Sequence, residues 1–302
     1  VLQRIGELAI PPAWREVWIC MDSLGHLQAT GLDAAGRKQY LYHERWRAHR
    51  DRLKFDSMLA FGRALPRMRR RVSSGLAGEE LSRERVLACA VRLLDLGFFR
   101  VGSEDYAEQN ESYGLSTIQK RHVSLGPREV VFDYPAKSGQ RQIQAIADPD
   151  VLRVLSALKR RRGGGEKLLA HREDGRWREV RADDVNAYIK SAAGGDFSAK
   201  DFRTWNATVL AAIALSAHDG TRPSRTARKR AIGDAIKTVS SYLGNTPAVC
   251  RASYVDPRVI DSFQSGTTIA ALIERLPHGP DLADERTRTR IERAVLALLD
   301  DD

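Results

Sequence analysis

The chain has 302 residues, 42% of them hydrophobic, with 49 Lys+Arg against 39 Asp+Glu and a formal net charge of +10. That length suits one large domain or two smaller ones with a sizeable core, and a cation surplus rich in arginine favours a polyanion such as nucleic acid. The three cysteines, Cys20, Cys89 and Cys250, stand alone, and the histidines are scattered, His43 and His49 being six apart, so neither a disulfide framework nor a metal site is expected.

In chain order, the first fifty residues predict strands and turns. "EVWICMDSLGHLQATGLDAAGRKQYLYH" has β-branched and aromatic runs cut by "DSLG" and "DAAG". From residue 44 the texture becomes helical in "ERWRAHRDRLKFDSMLAFGRALPRMRRRV", with Pro66 predicted to break the helix. A domain boundary is therefore expected at 45–55, giving a small β-rich domain at 1–50 and a larger, mostly helical one at 51–302. "LSRERVLACAVRLLDLGFF" predicts an amphipathic helix with Ser82 near its cap. "KRHVSLGPREVVFDYPAKSGQRQIQAIA" alternates apolar and polar residues and turns at "LGPRE" and "AKSGQ", which predicts short strands.

Helices return from Pro149. "RRRGGGEKLL" reads as a flexible basic loop, "HREDGRWREV" as a turn, and "ADDVNAYIKSAA" and "SAKDFRTWNATVLAAIALSA" as helices. "HDGTRPSRTARKR" reads as a basic linker. "AIGDAIKTVSSYL" reads as a helix capped by Gly244, and "LADERTRTRIERAVLALL" as a last amphipathic helix. No internal repeat is visible. The whole is α+β: a small N-terminal antiparallel β domain, then a mostly α-helical domain with a short hairpin sheet. No apolar run approaches membrane-spanning length and no secretory leader is legible, so a reducing, cytoplasmic setting is expected. The first residue is Val1, and a segment preceding it is expected.

In "SSYLGNTPAVCRASYVDP", Tyr254 stands nine residues after Asn245. A tyrosine there is either core filler or a nucleophile. As a nucleophile it is weak, with an ordinary pKa of about 10. To attack a phosphodiester it needs cations on the phosphoryl oxygens and an acid for the leaving oxygen. Separate segments of the chain supply such groups. Each also has a plain structural reading: Arg100 as a helix-end cap, Lys137 as a solvated turn residue, Arg203 as a snorkelling side chain or a partner of Asp201, Asn245 as turn chemistry.

Taken together, in order and with this spacing, these segments resemble type IB DNA topoisomerases of the compact bacterial and poxvirus kind, over nearly the whole chain. "FFRVGSEDYAEQNESYGLSTIQKRHV" matches the first arginine segment and implies a catalytic Arg100. "DYPAKSGQRQ" matches the hairpin bearing the general-acid lysine, here Lys137. "AKDFRTWNAT" matches the Lys-x-x-Arg helix and implies a catalytic Arg203 supported by Lys200. "LGNTPAVCRASYVDP" implies Asn245 as phosphate donor and Tyr254 as nucleophile. The resemblance further implies DNA contacts at Gly102 and Tyr106, and along "GRKQYLYH" at Lys38, Gln39, Tyr40 and Tyr42. Alternation puts Lys38, Tyr40 and Tyr42 on one strand face and Gln39 on the other. Poxvirus and eukaryotic relatives carry histidine where this chain has Asn245. An amide donates to a phosphoryl oxygen as an imidazole does but carries no proton to exchange, so the acceptor of the Tyr254 proton stays open.

The resemblance implies a monomer of the bacterial nucleoid that clamps duplex DNA between its two domains and relaxes supercoils through a 3′-phosphotyrosyl intermediate, with no cofactor, metal or ATP. Two rivals remain. A tyrosine recombinase uses related chemistry, but usually shows His-x-x-Arg where this chain has Lys200-x-x-Arg203, and begins with helices. An architectural DNA-binding protein would use the charge alone and form no covalent adduct.

Overall fold

The period-two pattern of the first fifty residues folds into β1 (Arg15–Ile19), β2 (Leu27–Leu32) and β3 (Lys38–Tyr42), an antiparallel sheet in the order β1-β2-β3. These coordinates are a computed structural model, which describes residues 2–78, 80–218 and 224–300. The chain divides into two compact units, Val1–Ser57 and Met58–Asp302. In the first, Gly31 of β2 lies under Trp14, where a Cβ would come within 2.7 Å of the indole. The expectation of strands alone at the start is corrected by α1 (Leu2–Glu7). This helix carries an i,i+4 bond from Gln3 to Glu7 and is tied to β2 by Arg4, which donates to Gln28 Oε1 at 3.0 Å.

A second correction concerns Pro66, which does not break its helix: α2 runs from Glu44 to Leu76 with Pro66 inside. An interior proline costs about 3 kcal/mol. Met58, Phe61, Leu65, Met68 and Val72 bury one stripe of this helix almost completely, and each such side chain returns about 1.5–3 kcal/mol. Pro66 itself faces outward. Gly62 of α2 meets the Trp205 indole so closely that a Cβ there would stand 2.8 Å from it.

The rest of the second unit comprises α3 (Arg83–Leu96), α4 (Glu104–Asn110), β4 (Val123–Leu125), β5 (Val130–Pro135), β6 (Arg141–Ile146), α5 (Pro149–Arg160), β7 (Ala170–Glu173), β8 (Arg176–Glu179) and α6 (Ala182–Ala193). After these come α7 (Ala199–Ser216), α8 (Arg225–Leu243), α9 (Pro247–Ser253), α10 (Pro257–Ser265), α11 (Ala270–Ile273) and α12 (Glu285–Asp300). The architecture is α+β, with antiparallel sheets β4-β5-β6 and β7-β8 beside the helices. Ser82 caps α3, accepting from the Arg85 N–H at 3.3 Å. The core is centred on α7, whose Phe202 and Trp205 are buried, Phe202 meeting Phe61 edge-on at 4.9 Å.

Two loops differ from their sequence reading. The glycine-rich basic loop, expected to be flexible, is wound around the buried Arg161, which donates to the carbonyls of Leu158, Gly164, Lys167 and Leu168. Three successive glycines at positive φ, Gly163 to Gly165, allow that winding. In the expected basic linker, residues 219–223 lie outside the described residues, and Arg225 to Arg230 are already helical. Ser224 starts that helix by accepting from the Ala227 N–H at 3.2 Å. Among the described residues, no helix is long and apolar enough to cross a membrane.

Candidate active site

Helix α8 ends at Gly244 in the left-handed conformation, φ 59°, its N–H bonded to the Ser240 and Ser241 carbonyls. The next N–H, of Asn245, also returns to Ser240 at 3.1 Å. Thr246 then caps α9, accepting from the Val249 N–H at 3.3 Å, and Pro247 fills its first position. Tyr254 is the C-cap of α9, with φ −132° and ψ −26°. The nine-residue spacing is thus one capped helix of seven residues, with Asn245 just before its N-cap and Tyr254 at its end. Buried Thr208 of α7 fixes that end. Its hydroxyl donates to the Tyr254 carbonyl at 3.3 Å and accepts from the Asp256 N–H at 3.2 Å.

Arg203, on the buried face of α7, is 4% exposed, a heavy desolvation cost for a cation. It does not pair with Asp201, whose carboxylate is used with Ser198 in the capping box of α7. Its guanidinium donates instead to the Phe98 and Leu243 carbonyls and lies 5.2 Å from the Tyr254 ring centroid. Arg100 donates to the Gly244 carbonyl at 2.9 Å and to Asn245 Oδ1 at 2.7 Å. Residues 100, 203, 245 and 254 therefore converge on the end of α8 and the helix that follows it.

The electrostatics follow from that convergence. Burial alone would push the Tyr254 hydroxyl up. Arg203, by its charge and its contact with the hydroxyl, together with the charges of Arg100 and Lys200, outweighs burial, so the phenol is held below its ordinary value. Burial and the neighbouring Arg100 charge push Arg203 down. Cys250, one turn before Tyr254, is pushed up to about 11 by burial, a neutral thiol. Because Asn245 Oδ1 is taken by Arg100, its Nδ2 is the unspent donor, and this buried Nδ2 has no partner among the described residues. Asn245 thus presents an N–H and no proton-exchanging group.

Lys137 is exposed, at the start of the short 3-10 turn (Lys137–Gly139) joining β5 to β6, so it stands at the hairpin tip. Lys200 lies exposed in the first turn of α7. Gly102 has φ 90° and packs against Gly114, where a Cβ on Gly114 would come within 2.5 Å of the Gly102 backbone. That contact, with the Leu115 N–H on the Arg100 carbonyl at 2.8 Å, clamps the Arg100 segment. The side chain of Tyr106 lies outside the described residues, and only its place in α4 is given.

In the first unit, Tyr40 and Tyr42 stack at 6.1 Å and the Lys38 ammonium lies 6.0 Å from the Tyr40 ring, so the three share a face as alternation predicts. Tyr40 is 49% exposed, whereas Tyr42 is stacked on Trp46 at 4.4 Å. The Gln39 amide is engaged by Asp33 at 2.9 Å.

Three features of the site have no counterpart in the sequence reading. They are Thr208, the carbonyls that seat the arginines, and buried Tyr134 beside Arg100 and Arg203, pushed up to about 12 by burial and so held neutral. Thr208, the one polar residue between Ala207 and Leu215 of α7, is the one local signal.

Comparison with known proteins bears on these positions. Residues 43–271 match the family described as eukaryotic DNA topoisomerase I, catalytic core. Residues 1–33 match the N-terminal domain of bacterial DNA topoisomerase IB. DNA topoisomerase 1B of Acanthamoeba polyphaga mimivirus is 31% identical over 274 residues, 87% of this chain and 80% of that protein. DNA topoisomerase 1 of Schizosaccharomyces pombe is 32% identical over 45% of this chain, which is 16% of the yeast protein. DNA topoisomerase 1B of Vaccinia virus is 23% identical over 38% of this chain and 37% of its own length.

Proposed function

The chain belongs to the type IB DNA topoisomerases, isomerases of DNA, and from that membership we propose that Tyr254 is the nucleophile and Arg100, Lys137, Arg203 and Asn245 its catalytic partners. The observation that carries the proposal is the seating of Tyr254 against a buried guanidinium that, among the described residues, bonds carbonyl oxygens and no carboxylate. The Tyr254 oxygen, its proton given up to water, attacks a backbone phosphorus, and the bond from phosphorus to the 5′ oxygen breaks. Lys137 gives its proton to that oxygen. The 3′ phosphate is left on the tyrosine and the 5′ strand is free to rotate. Arg100, Arg203 and the Asn245 Nδ2–H stabilise charge on the non-bridging oxygens. Religation is the reverse, with the 5′ hydroxyl attacking the phosphotyrosyl and Lys137 regaining its proton. The ester bond is conserved in the intermediate, so no ATP is consumed, and the cations are side chains, so no metal step is required.

Lys200 and the backbone at Gly102 are read as supporting phosphate contacts, with Tyr106 as a further one. Lys38, Tyr40 and Tyr42 are read as a second DNA surface on the domain at 1–50, separate from the catalytic domain at 51–302. Gln39, its amide spent on Asp33, contributes by holding the turn between β2 and β3 rather than by touching DNA itself. All the proposed reacting groups lie in one chain, so a monomer suffices.

The test is a denaturing gel after brief incubation with end-labelled duplex in chelator. Wild type is expected to trap DNA by its 3′ end, and Tyr254→Phe to trap none while still binding. Attachment to a 5′ end, or an adduct with Tyr254→Phe, overturns the assignment. Relaxation of a plasmid without any cognate site separates this reading from a recombinase.

A further inference from the structure

The tract "GQRQIQAI" places Gln140, Gln142 and Gln144 at every second position, with Gln142 and Gln144 inside β6. Alternation directs the three amides to one face, away from Ile143, which is 60% exposed. Their oxygens meet the backbone that seats the arginines. Gln144 Oε1 accepts from the Phe98 N–H at 2.9 Å, and the Phe98 carbonyl in turn accepts from Arg203. Gln142 Oε1 and Gln140 Oε1 lie 3.0 and 3.4 Å from where a Cβ on Gly244 would stand, next to Arg100 Nη1 at 3.8 Å. The Gly244 carbonyl and the Asn245 side chain hold Arg100.

We propose that this glutamine ladder docks the Lys137 hairpin onto the seats of both catalytic arginines, with Gln144 as the positioning residue for Arg203. The inference rests on the functional reading above. β6 pairs with β5 up to Pro135↔Arg141, one step from the turn that carries Lys137. A glutamine is suited to this work because its oxygen accepts from a backbone N–H without bringing charge. A carboxylate so near Arg100 and Arg203 would compete with the phosphate. Without the Gln144 acceptor, the Phe98 N–H loses its partner and the segment relaxes towards another one. The carbonyl that aims Arg203 moves with it. Gln144 touches neither the nucleophile nor the reacting phosphate, so its effect passes through Arg203.

The test is single-turnover cleavage by Gln144→Met, which keeps volume and removes the amide. Two duplexes are used, one normal and one with sulfur replacing the bridging 5′ oxygen, beside wild type, Tyr254→Phe and Lys137→Ala. Displacing a catalytic group by about 1 Å costs on the order of 10²-fold, so the Gln144→Met rate constant is expected to fall roughly tenfold or more at full amplitude. Sulfur should not restore it, whereas sulfur should restore Lys137→Ala, because a thiolate leaves without a proton. If Gln144→Met does not fold, Gln144→Asn, too short to reach Phe98, replaces it. A wild-type rate constant, a loss confined to amplitude, or full rescue by sulfur each overturns the inference. Those outcomes leave the functional reading standing, since that reading fails instead if wild type forms no adduct or Tyr254→Phe forms one.

Discussion

Two arginine groups of the catalytic unit, one around Arg69 and one around Arg203, are built on opposite principles. Arg69 spends its donors on carboxylates: two bonds to Asp95 at 2.8 and 2.9 Å and two to Glu292 at 2.6 and 2.7 Å. Arg288 closes on Asp95 at 3.4 Å, and the Trp205 indole donates to Glu292 at 3.3 Å. Formal charge cancels, and Arg69 is pushed above its ordinary value because Asp95 and Glu292 outweigh its burial. Arg100 and Arg203 have carbonyl and amide oxygens as acceptors, which orient a guanidinium without neutralising it. Burial and mutual repulsion push Arg203 the other way. The first group holds α2, α3, α7 and α12 together. The second keeps positive charge unspent beside a tyrosine, which is what a phosphodiester requires.

The largest effect expected from breaking this contrast is on the neutral side. Removing one partner of a buried ion pair strands the others, at about 3–5 kcal/mol. Arg69→Met should therefore lower unfolding stability by about that amount in denaturant melts, with the cleavage rate constant of the folded fraction unchanged. On the unspent side the pattern reverses. Arg203→Ala should cut single-turnover cleavage by about 10²–10³, the range for a lost charge-stabilising donor, while its melting midpoint stays near wild type or rises as a desolvated charge is removed. Equal stability losses in the two variants would erase the distinction.

A smaller change should convert one kind of site into the other. Asn245→Asp would hand Arg100 a carboxylate and remove the Nδ2 donor, so cleavage should fall by roughly tenfold to a hundredfold while the protein melts no lower than wild type. Asn245→Ala keeps the Arg100 charge and should lose less. If the alanine variant is the weaker of the two, neutralisation of Arg100 is not what matters. The smallest effect sought is on pH. Tyr254 is depressed, so cleavage should rise with pH until the phenol ionises and level off below the range of free tyrosine. Lys200 contributes to that depression. Lys200→Met therefore leaves Tyr254 a weaker acid and moves the rising limb to higher pH, only slightly because Lys200 is exposed. A limb that stays put or moves down would separate Lys200 from Tyr254.

What could be read beforehand was what one short segment determines. Ser82 and Gly244 announce their caps, the alternation of β5 and β6 announces the hairpin, and the Asn245–Tyr254 spacing is set by one short helix. Pro66 was misread because its cost is offset by packing against residues far along the chain. The order of the glycine-rich loop is not legible because it comes from the buried guanidinium of Arg161 bonding the loop carbonyls. The seats of Arg100 and Arg203 are invisible for the same reason: their carbonyls come from Phe98, Leu243 and Gly244, more than a hundred residues from the guanidinium they hold in two of the three bonds. A backbone oxygen has no letter in the sequence.

Thr208 and Arg203 sit on the same helix, five positions apart. One bonds the backbone at the nucleophile and the other stands against its ring. A helix moves as a stiff rod over this length, so a jolt to α7 carries both fittings with it. The error in where they are is shared, and the error in how far apart they are is much smaller. In the proposed reaction, a cut strand that turns about its axle would pull on the protein through the bond at Tyr254. The gap between phosphorus and guanidinium would then be set by one short length of a single part. Religation after many turns would meet the alignment that cleavage left.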